Sequence, residues 1–179
     1  MSRDVPIGWH HTTANKATIL GNGTLGNITV AVRALIEAPT GSVSGSSDAS
    51  LPRYVMLGLN GGSSNRTAGP YFFYVDSPHA DALWFNATHW GCQMFCRPTV
   101  CSQPHPVAFG LGVWHAISFS EAPGPTPGTR FMSATLDDAL LFNITASTLR
   151  NNGMGGYVML RTGAHHAMFD DLAITSNQV

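Results

Sequence analysis

Two neighbouring segments near the end of the chain decide its fold class. They read GYVMLRTG at residues 156–163 and FDDLAIT at residues 169–175. Each contains a short apolar run, and the loop between them holds His165 and His166. Apolar runs of this length, bounded by glycine or polar residues, are typical of β-strands. The segments therefore predict two strands joined by a histidine-bearing loop, the second of which opens with an aromatic residue and two carboxylates.

Strand patterns continue through the rest of the chain. Residues 27–37 alternate with period two, and one face collects Ile28, Val30, Val32, Ala34 and Ile36. Further strands are predicted over residues 53–59, 71–75, 83–86, 113–120, 130–135, 139–144, 157–161 and 168–175, separated by glycine, proline and asparagine clusters. Many short strands with frequent turns predict an all-β sandwich of two antiparallel sheets. We expect a single domain over 1–179, with a leader or linker at 1–16 and the sandwich at 17–175.

Charged residues are scarce and balanced. They make up 11% of the chain, and the formal net charge is −1, whereas ordinary globular proteins are roughly a quarter charged. A nucleic-acid partner is therefore not expected, because it would require a basic patch. No apolar run reaches the roughly 20 residues of a membrane-spanning helix, so we do not expect a transmembrane protein. The first residues lack the apolar stretch of a signal peptide, and we expect a fragment or a processed chain.

Glycosylation sequons indicate a secretory history. The pattern Asn-x-Ser/Thr occurs at five sites, which are Asn22, Asn27, Asn65, Asn86 and Asn143. Such a density is typical of a chain that passes through the endoplasmic reticulum and carries glycans on its loops and outer faces. We therefore expect a glycoprotein of the secretory pathway with a lysosomal or extracellular destination.

Three cysteines lie close together at Cys92, Cys96 and Cys101. In an oxidising compartment one pair can close a small loop, which leaves the third cysteine free or bridged to another chain. The sequence does not choose among the three pairings. The alternative is a zinc site in which His105 joins the three thiolates as the fourth ligand, although this spacing matches no common zinc module.

Several segments carry a family resemblance when they are taken in order. They are TILGN at 18–22, NITVAV at 27–32, YVMLGL at 54–59, GVWHAISF at 112–119, LDDALLF at 136–142 and the two segments quoted first. Together they resemble the C-terminal lectin-like domain of the galactocerebrosidase family of lysosomal glycoside hydrolases. The resemblance implies a concanavalin A/laminin G-like jelly roll that binds or positions sugars and does not cut them. It also implies a carbohydrate or glycolipid ligand and a catalytic barrel domain, on the same or a second chain, as partner.

Asp170 is the candidate metal ligand. It shares strand parity with Leu172 and Ile174, so it is predicted to point inward with them, and a buried carboxylate needs a cation or several N–H donors. The resemblance implies a structural calcium ion held by Asp170, with Asn22 and Thr24 of the opening turn as further oxygen ligands. Asn22 also begins a sequon, and one side chain cannot serve both purposes. The alternative is an Asp170 that is hydrogen-bonded and purely structural.

Candidate binding residues come from loops and aromatic side chains. His165 and His166 occupy the loop before the last strand, where binding residues often lie. Trp84, Trp90 and Tyr71 offer rings on which a sugar can stack, and the alternative for the two tryptophans is a shielded core position. His115, by contrast, shares parity with apolar neighbours and is predicted to be a hydrogen-bonded core residue.

No catalytic apparatus is visible in the sequence. Glycoside hydrolysis normally requires two carboxylates that flank the scissile bond, whereas the carboxylates at 137–138 and at 170–171 are adjacent and point to opposite faces of a strand. A Gly-x-Ser-x-Gly nucleophile motif is also missing. We therefore expect a noncatalytic lectin-like portion of a galactocerebrosidase-type hydrolase. The alternative is a free-standing secreted glycan-binding or structural module.

Overall fold

The described part of the chain forms a sandwich of two antiparallel sheets. A computed structural model describes residues 16–25, 27–38, 53–61, 81–94, 98–147, 156–162 and 167–176. The six-stranded sheet contains, in spatial order, β1 (Lys16–Leu25), β10 (Gly156–Thr162), β3 (Val55–Gly61), β4 (Asp81–Phe85), β5 (His89–Gln93) and β6 (His105–Pro106). The five-stranded sheet contains β11 (Ala167–Ser176), β2 (Ile28–Ile36), β7 (His115–Pro123), β8 (Thr129–Leu136) and β9 (Ala139–Ser147). Every strand pairing is antiparallel, and the predicted fold class is confirmed.

The core lies between the inner faces of the two sheets. On β2 the five alternating apolar residues predicted to share a face are all buried. They pack with apolar side chains of β3, β4, β7, β8 and β10, such as Leu57, Phe85, Phe119, Met132 and Leu160. On the five-stranded sheet the alternation read from the sequence corresponds to a buried inner face and a more exposed outer face, whereas the described residues 55–59 of β3 and 158–162 of β10 are buried on both faces.

The structure differs from the sequence predictions at two places. The predicted opening turn at Gly21 and Asn22 lies inside β1, whose pairing with β10 shifts register between Leu20 and Leu25. Strands β5 and β6 were not predicted, because short segments rich in histidine, glycine and proline carry little alternation. The predicted strand at 71–75 falls outside the described residues.

A buried ionic cluster joins the two sheets. Arg130 of β8 donates two hydrogen bonds to Asp81 of β4, at 2.6 and 2.9 Å, and one to Glu121 of β7 at 3.0 Å. None of the three side chains is more than 2% exposed. Since buried charges are tolerated only when they are paired, this cluster fixes how β4 lies against β7 and β8.

The hairpin between β8 and β9 turns at Asp137 and Asp138, which both adopt positive φ angles, of 48° and 65°. Positive φ at both central residues matches a tight two-residue hairpin turn, and aspartate tolerates it better than most residues. Asp137 accepts a hydrogen bond from the Ala116 N–H at 2.9 Å and contacts His115 Nδ1 at 2.6 Å. His115 is buried, and its Nε2 donates to the Phe109 carbonyl at 2.6 Å. The prediction of a hydrogen-bonded core histidine is confirmed.

The stability of the protein is expected to depend on the ionisation of Asp137. Burial acts to raise the pKa of Asp137, but the hydrogen bonds from His115 and the Ala116 N–H outweigh it, so this pKa lies below its ordinary value. A lowered pKa in the folded state means a stabilising contribution that is complete above about pH 4 and is lost as the pH falls through the folded pKa. The contribution is modest, because the side chain is 52% exposed.

Urea denaturation of the wild type and the Asp137→Asn variant between pH 7 and pH 2 measures this contribution. Asparagine accepts the positive φ and keeps an acceptor for the Ala116 N–H, so the variant removes only the charge. The wild type is expected to be the more stable protein at pH 7, and the difference is expected to shrink as the pH falls below about 4 and through the lowered folded pKa of Asp137. A difference that stays constant over the whole range would contradict the assignment.

Candidate functional site

The outer face of the six-stranded sheet holds the candidate site. Cross-strand pairing places Arg161 of β10 opposite Met56 of β3, Met56 opposite Trp84 of β4, and Trp84 opposite Gly91 of β5. Directly paired residues point to the same side of a sheet. We call these four residues the outer row; their neighbours in sequence, such as Leu57, Phe85 and Leu160, belong to the core. Within the row only Trp84 is partly exposed, and the other three residues are buried. Since adjacent strands lie about 4.8 Å apart, the backbones at Arg161 and Trp84 are separated by roughly 10 Å.

Trp84 lies along the sheet surface over Gly91. A Cβ atom placed on Gly91 would lie only 2.6 Å from the indole Cε2 of Trp84, so only glycine leaves space for the ring. The backbone of β5 therefore supports one side of the indole, and Trp84 is partly exposed whereas its strand neighbours Leu83 and Phe85 are buried. Gln93 is also partly exposed and pairs with Ala82 in the adjacent register position. An aromatic surface with a polar amide nearby is a typical composition for a small-molecule site.

Trp90 does not share this position. It is 5% exposed, and its ring stacks on His105 at 4.5 Å and on Phe142 at 5.8 Å between centroids. Trp90 is therefore a shielded core residue, which corrects the expectation that it stacks on a sugar. Tyr71, His165 and His166 lie outside the described residues.

Arg161 occupies the other end of the outer row and was not identified from the sequence. Its side chain is 2% exposed, and a side-chain hydrogen bond joins it to Tyr54. Burial lowers the pKa of Arg161, and burial raises the pKa of Tyr54 against the opposing charge of Arg161. Within the part of the chain that the structure describes, Nε and Nη1 of Arg161 have no hydrogen-bond acceptor. A single charge inside the apolar segment YVMLRT is the sequence signal that could have identified it.

Asp170, the candidate calcium ligand, lies on the outer face of its sheet. Asp170 pairs with Arg33, and the next pair along the two strands joins Ala173 to Ala31. Asp171 and Leu172 of β11 therefore lie opposite the single residue Val32 of β2, which makes a β-bulge at Asp171, whose φ is positive. The bulge reverses the alternation, and Leu172 packs against the core while Asp170 lies on the outer face beside the exposed Arg33. The prediction that Asp170 points inward is therefore wrong.

The calcium ion at Asp170, Asn22 and Thr24 stays a prediction. Asp170 Oδ1 accepts a hydrogen bond from the Asp171 N–H at 2.9 Å. Asn22 and Thr24 lie on β1, whose side chains are outside the described set. Among the described residues, no three histidine, cysteine, aspartate or glutamate side chains come close enough together to hold a metal ion.

Two of the three cysteines form a disulfide, which contradicts the four-ligand zinc site. Cys92 of β5 is bonded to Cys101, which ends a short 3-10 helix at Thr99–Cys101. His105, the fourth proposed zinc ligand, contacts the Val100 carbonyl through Nε2 at 2.7 Å. Two proposed zinc ligands are thus joined to each other, and a third is engaged elsewhere. Cys96 lies outside the described residues.

The sequons occupy different environments. Asn86 lies in the turn between β4 and β5, where its side-chain oxygen accepts hydrogen bonds from the N–H groups of Thr88 and His89 at 2.9 and 2.7 Å. Asn143 is exposed on β9, and Asn27 is partly exposed with a φ of 50°. Asn22 lies in β1, and Asn65 is outside the described residues. Asn86 and Asn143 thus lie at a turn and on an outer face, where a glycan can be accommodated.

The described residues include no helix that is long and apolar enough to cross a bilayer.

Comparison with known proteins identifies the fold. No protein-family model matches the sequence, and no curated protein is detectably similar. The carbohydrate recognition domain of Emp46p superposes with a TM-score of 0.60 and 7% identity, covering 94% of this chain and 81% of that one. Lectin II from Ulex europaeus gives 0.57 and 12%, covering 97% and 86%. An endo-β-1,4-glucuronan lyase from the fungus Trichoderma reesei gives 0.54 and 10%, covering 97% and 79%. At these identities the likeness shows the fold alone, and the chain adopts a concanavalin A-like jelly roll.

Proposed function

We propose that this chain is a noncatalytic carbohydrate-binding module whose binding site is centred on Trp84, the partly exposed residue of the outer row. The observation that carries the proposal is the position of Trp84. Its indole lies against the backbone of Gly91 and is partly exposed, whereas the other described candidate ring, Trp90, is in the core. A rigid ring supported from one side offers its other face to the apolar C–H face of a sugar.

The surroundings of Trp84 are consistent with this role. Met56 lies between Trp84 and Arg161 in the outer row. Gln93 of β5 pairs with Ala82, which lies two residues before Trp84 on β4. A sugar needs both an apolar surface and a few hydrogen-bonding groups that fix its orientation, and this face has both. The recognition domain and the lectin among the structural neighbours share the fold with a lyase, so the fold supports the proposal without deciding it.

The more specific form of the proposal follows from the family resemblance. In that form the chain is the lectin-like portion of a galactocerebrosidase-type glycoside hydrolase and helps position a galactolipid beside a catalytic barrel domain. The five sequons and the Cys92–Cys101 disulfide suit an oxidising, lysosomal or extracellular location. The alternative is a free-standing secreted module that binds glycans or has a structural role. The calcium ion that the resemblance implies at Asp170, Asn22 and Thr24 stays a prediction, and the proposed sugar site at Trp84 does not depend on it.

A glycan panel with matched variants tests the proposal. Trp84→Ala is expected to weaken binding of the best ligand about tenfold or more, since the stacking surface is lost. Gly91→Ala is expected to act in the same direction, because the new methyl group displaces the indole. The control is Phe131→Ala, which removes a 42% exposed ring from β8 of the other sheet and should leave binding unchanged. Thermal denaturation of each variant checks that the fold is retained.

The outcomes separate the function from the site. Failure of the wild type to bind any glycan, galactosylceramide included, would contradict the proposed function. Unchanged binding by a folded Trp84→Ala variant would contradict the proposed position of the site. Preferential binding of galactosylceramide over other glycolipids would support the hydrolase-associated form, whereas binding of soluble glycans alone would favour the free-standing module.

A further inference from the structure

Four strands lie at the edges of the two sheets. Among the described strands, β1, β6, β9 and β11 each have one hydrogen-bonded neighbour. The edge of a sheet presents backbone groups that can pair with a strand of another chain, and proteins oppose such pairing with charges, proline, bulges or very short strands. β6 has two residues and ends at Pro106, and β11 carries Asp170, Asp171 and a bulge. These two strands therefore have protection of their own.

β9 has little protection of this kind. Its sequence, ALLFNITAS, contains no charged residue and no proline. A bulge at Leu141 shifts its register with β8, and the carboxylates of Asp137 and Asp138 lie at the turn, on the other side of that bulge. Residues 142–147 then pair with β8 in continuous register. A regular, uncharged segment of this length without proline is an edge at which identical chains can pair.

Two exposed apolar side chains flank the sequon asparagine of β9. Phe131 of β8 lies opposite Thr145, two residues after Asn143, and Leu140 lies three residues before Asn143. Phe131 is 42% exposed and Leu140 is 64% exposed, and they are two of the four large apolar side chains that are exposed in the described part of the chain. Asn143 and Thr145 are exposed as well. The sequon therefore lies between the two apolar side chains, on the outer face of the five-stranded sheet.

We infer that an N-glycan on Asn143 covers the edge of β9 and keeps a second copy of this chain from pairing with it. Diagonal cross-strand neighbours lie about 7–8 Å apart, and Phe131 is the diagonal neighbour of Asn143. The first sugar extends beyond the asparagine amide, so it can lie against Phe131, while the rest of the glycan excludes an approaching strand by its bulk.

The positions of the sequons support this protective role. The two long edge strands that contain no carboxylate are β1 and β9, and each contains a sequon asparagine, which is Asn22 in β1 and Asn143 in β9. β6 and β11, which have other protection, contain none. Charged residues make up only 11% of the chain, so few are available to protect an edge. A glycan can supply the barrier that a lysine supplies in other proteins.

Sedimentation velocity of the protein secreted from mammalian cells tests the inference, together with mass spectrometry of the peptide that contains Asn143. The wild type is expected to carry a glycan at Asn143 and to sediment as a monomer at every concentration. Asn143→Gln and Thr145→Ala each remove the sequon, and both are expected to shift toward dimers or larger species as the concentration rises. The matched control is Thr145→Ser, which keeps the sequon and should stay monomeric.

Two further variants separate protection of this edge from a general effect of glycans on solubility. Thr88→Ala removes the Asn86 sequon, which lies at the turn between β4 and β5 in the other sheet, and should stay monomeric. Asn143→Lys also removes the glycan but puts a charge on the edge, so it should stay monomeric where Asn143→Gln associates. Amide hydrogen exchange locates the contact, because exchange in β9 should slow on association whereas exchange in β11 should not change.

Four results would overturn the inference. They are an unoccupied Asn143 in the wild type, a folded and monomeric Asn143→Gln or Thr145→Ala variant, equal association of Thr88→Ala, and association that leaves exchange in β9 unchanged. Circular dichroism shows whether each variant is folded, and the two sequon variants alter different side chains, so either one alone suffices for the test. The inference goes beyond the proposed function and does not depend on it, because β9 and Trp84 belong to different sheets.

Discussion

The Arg130→Met variant is expected to lose about 3–5 kcal/mol of unfolding free energy, the usual result of breaking a buried ion pair from one side. Arg130 donates to Asp81 at 2.6 and 2.9 Å and to Glu121 at 3.0 Å, and water is excluded from all three. Methionine fills much of the same volume but leaves two carboxylates buried without their cation. Because Asp81 and Arg130 belong to different sheets, the loss also weakens the contact between the sheets.

Equilibrium urea denaturation measures this effect, and two further variants serve as controls. The triple variant Arg130→Met, Asp81→Asn, Glu121→Gln carries no buried charge and should recover a large part of the lost stability. Arg33→Met breaks the exposed ion pair with Asp171, at 3.5 Å, and should change stability by no more than about 0.5 kcal/mol. A single variant within about 1 kcal/mol of wild type would show that the cluster does not hold the sheets together.

Removing the Cys92–Cys101 disulfide is expected to lower the free energy of unfolding by about 2–3 kcal/mol. The bond closes a short loop, with a sequence separation of 9, and the chain-entropy relation gives a value of this size for a loop of about ten residues. Cys92 is also buried in the core beneath the outer row. The double variant Cys92→Ala, Cys101→Ala in a Cys96→Ser background should therefore unfold at lower urea concentration than Cys96→Ser alone.

Peptide mapping of the unreduced protein checks the connectivity independently. A peptide that joins Cys92 to Cys101 is the expected product. A bridge from Cys96 to either of them would contradict the pairing, and equal stability of the two variants would contradict its contribution to the fold.

The two tryptophans show what alternation can and cannot predict. Period two assigns Trp84 to the face opposite Leu83 and Phe85, but it does not say which strand passes beneath the ring. Gly91 lies there because the turn at Asn86 sets the register of β4 against β5. The same register turns Trp90 inward, onto Phe142 of the other sheet. A sequence pattern therefore identified both rings as candidates, and only strand pairing separated them.

The sequence by itself determined the all-β class, most strands and the apolar face of each, because alternation is a local property of neighbouring residues. It also determined the density of sequons and the scarcity of charge. The tertiary structure alone decided the features that join distant segments. These are the Cys92–Cys101 pairing, the outward turn of Asp170, the buried Arg130 cluster and the position of Arg161 on the same face as Trp84. Each depends on register between strands far apart in the chain, and a single bulge is enough to exchange an inner face for an outer one.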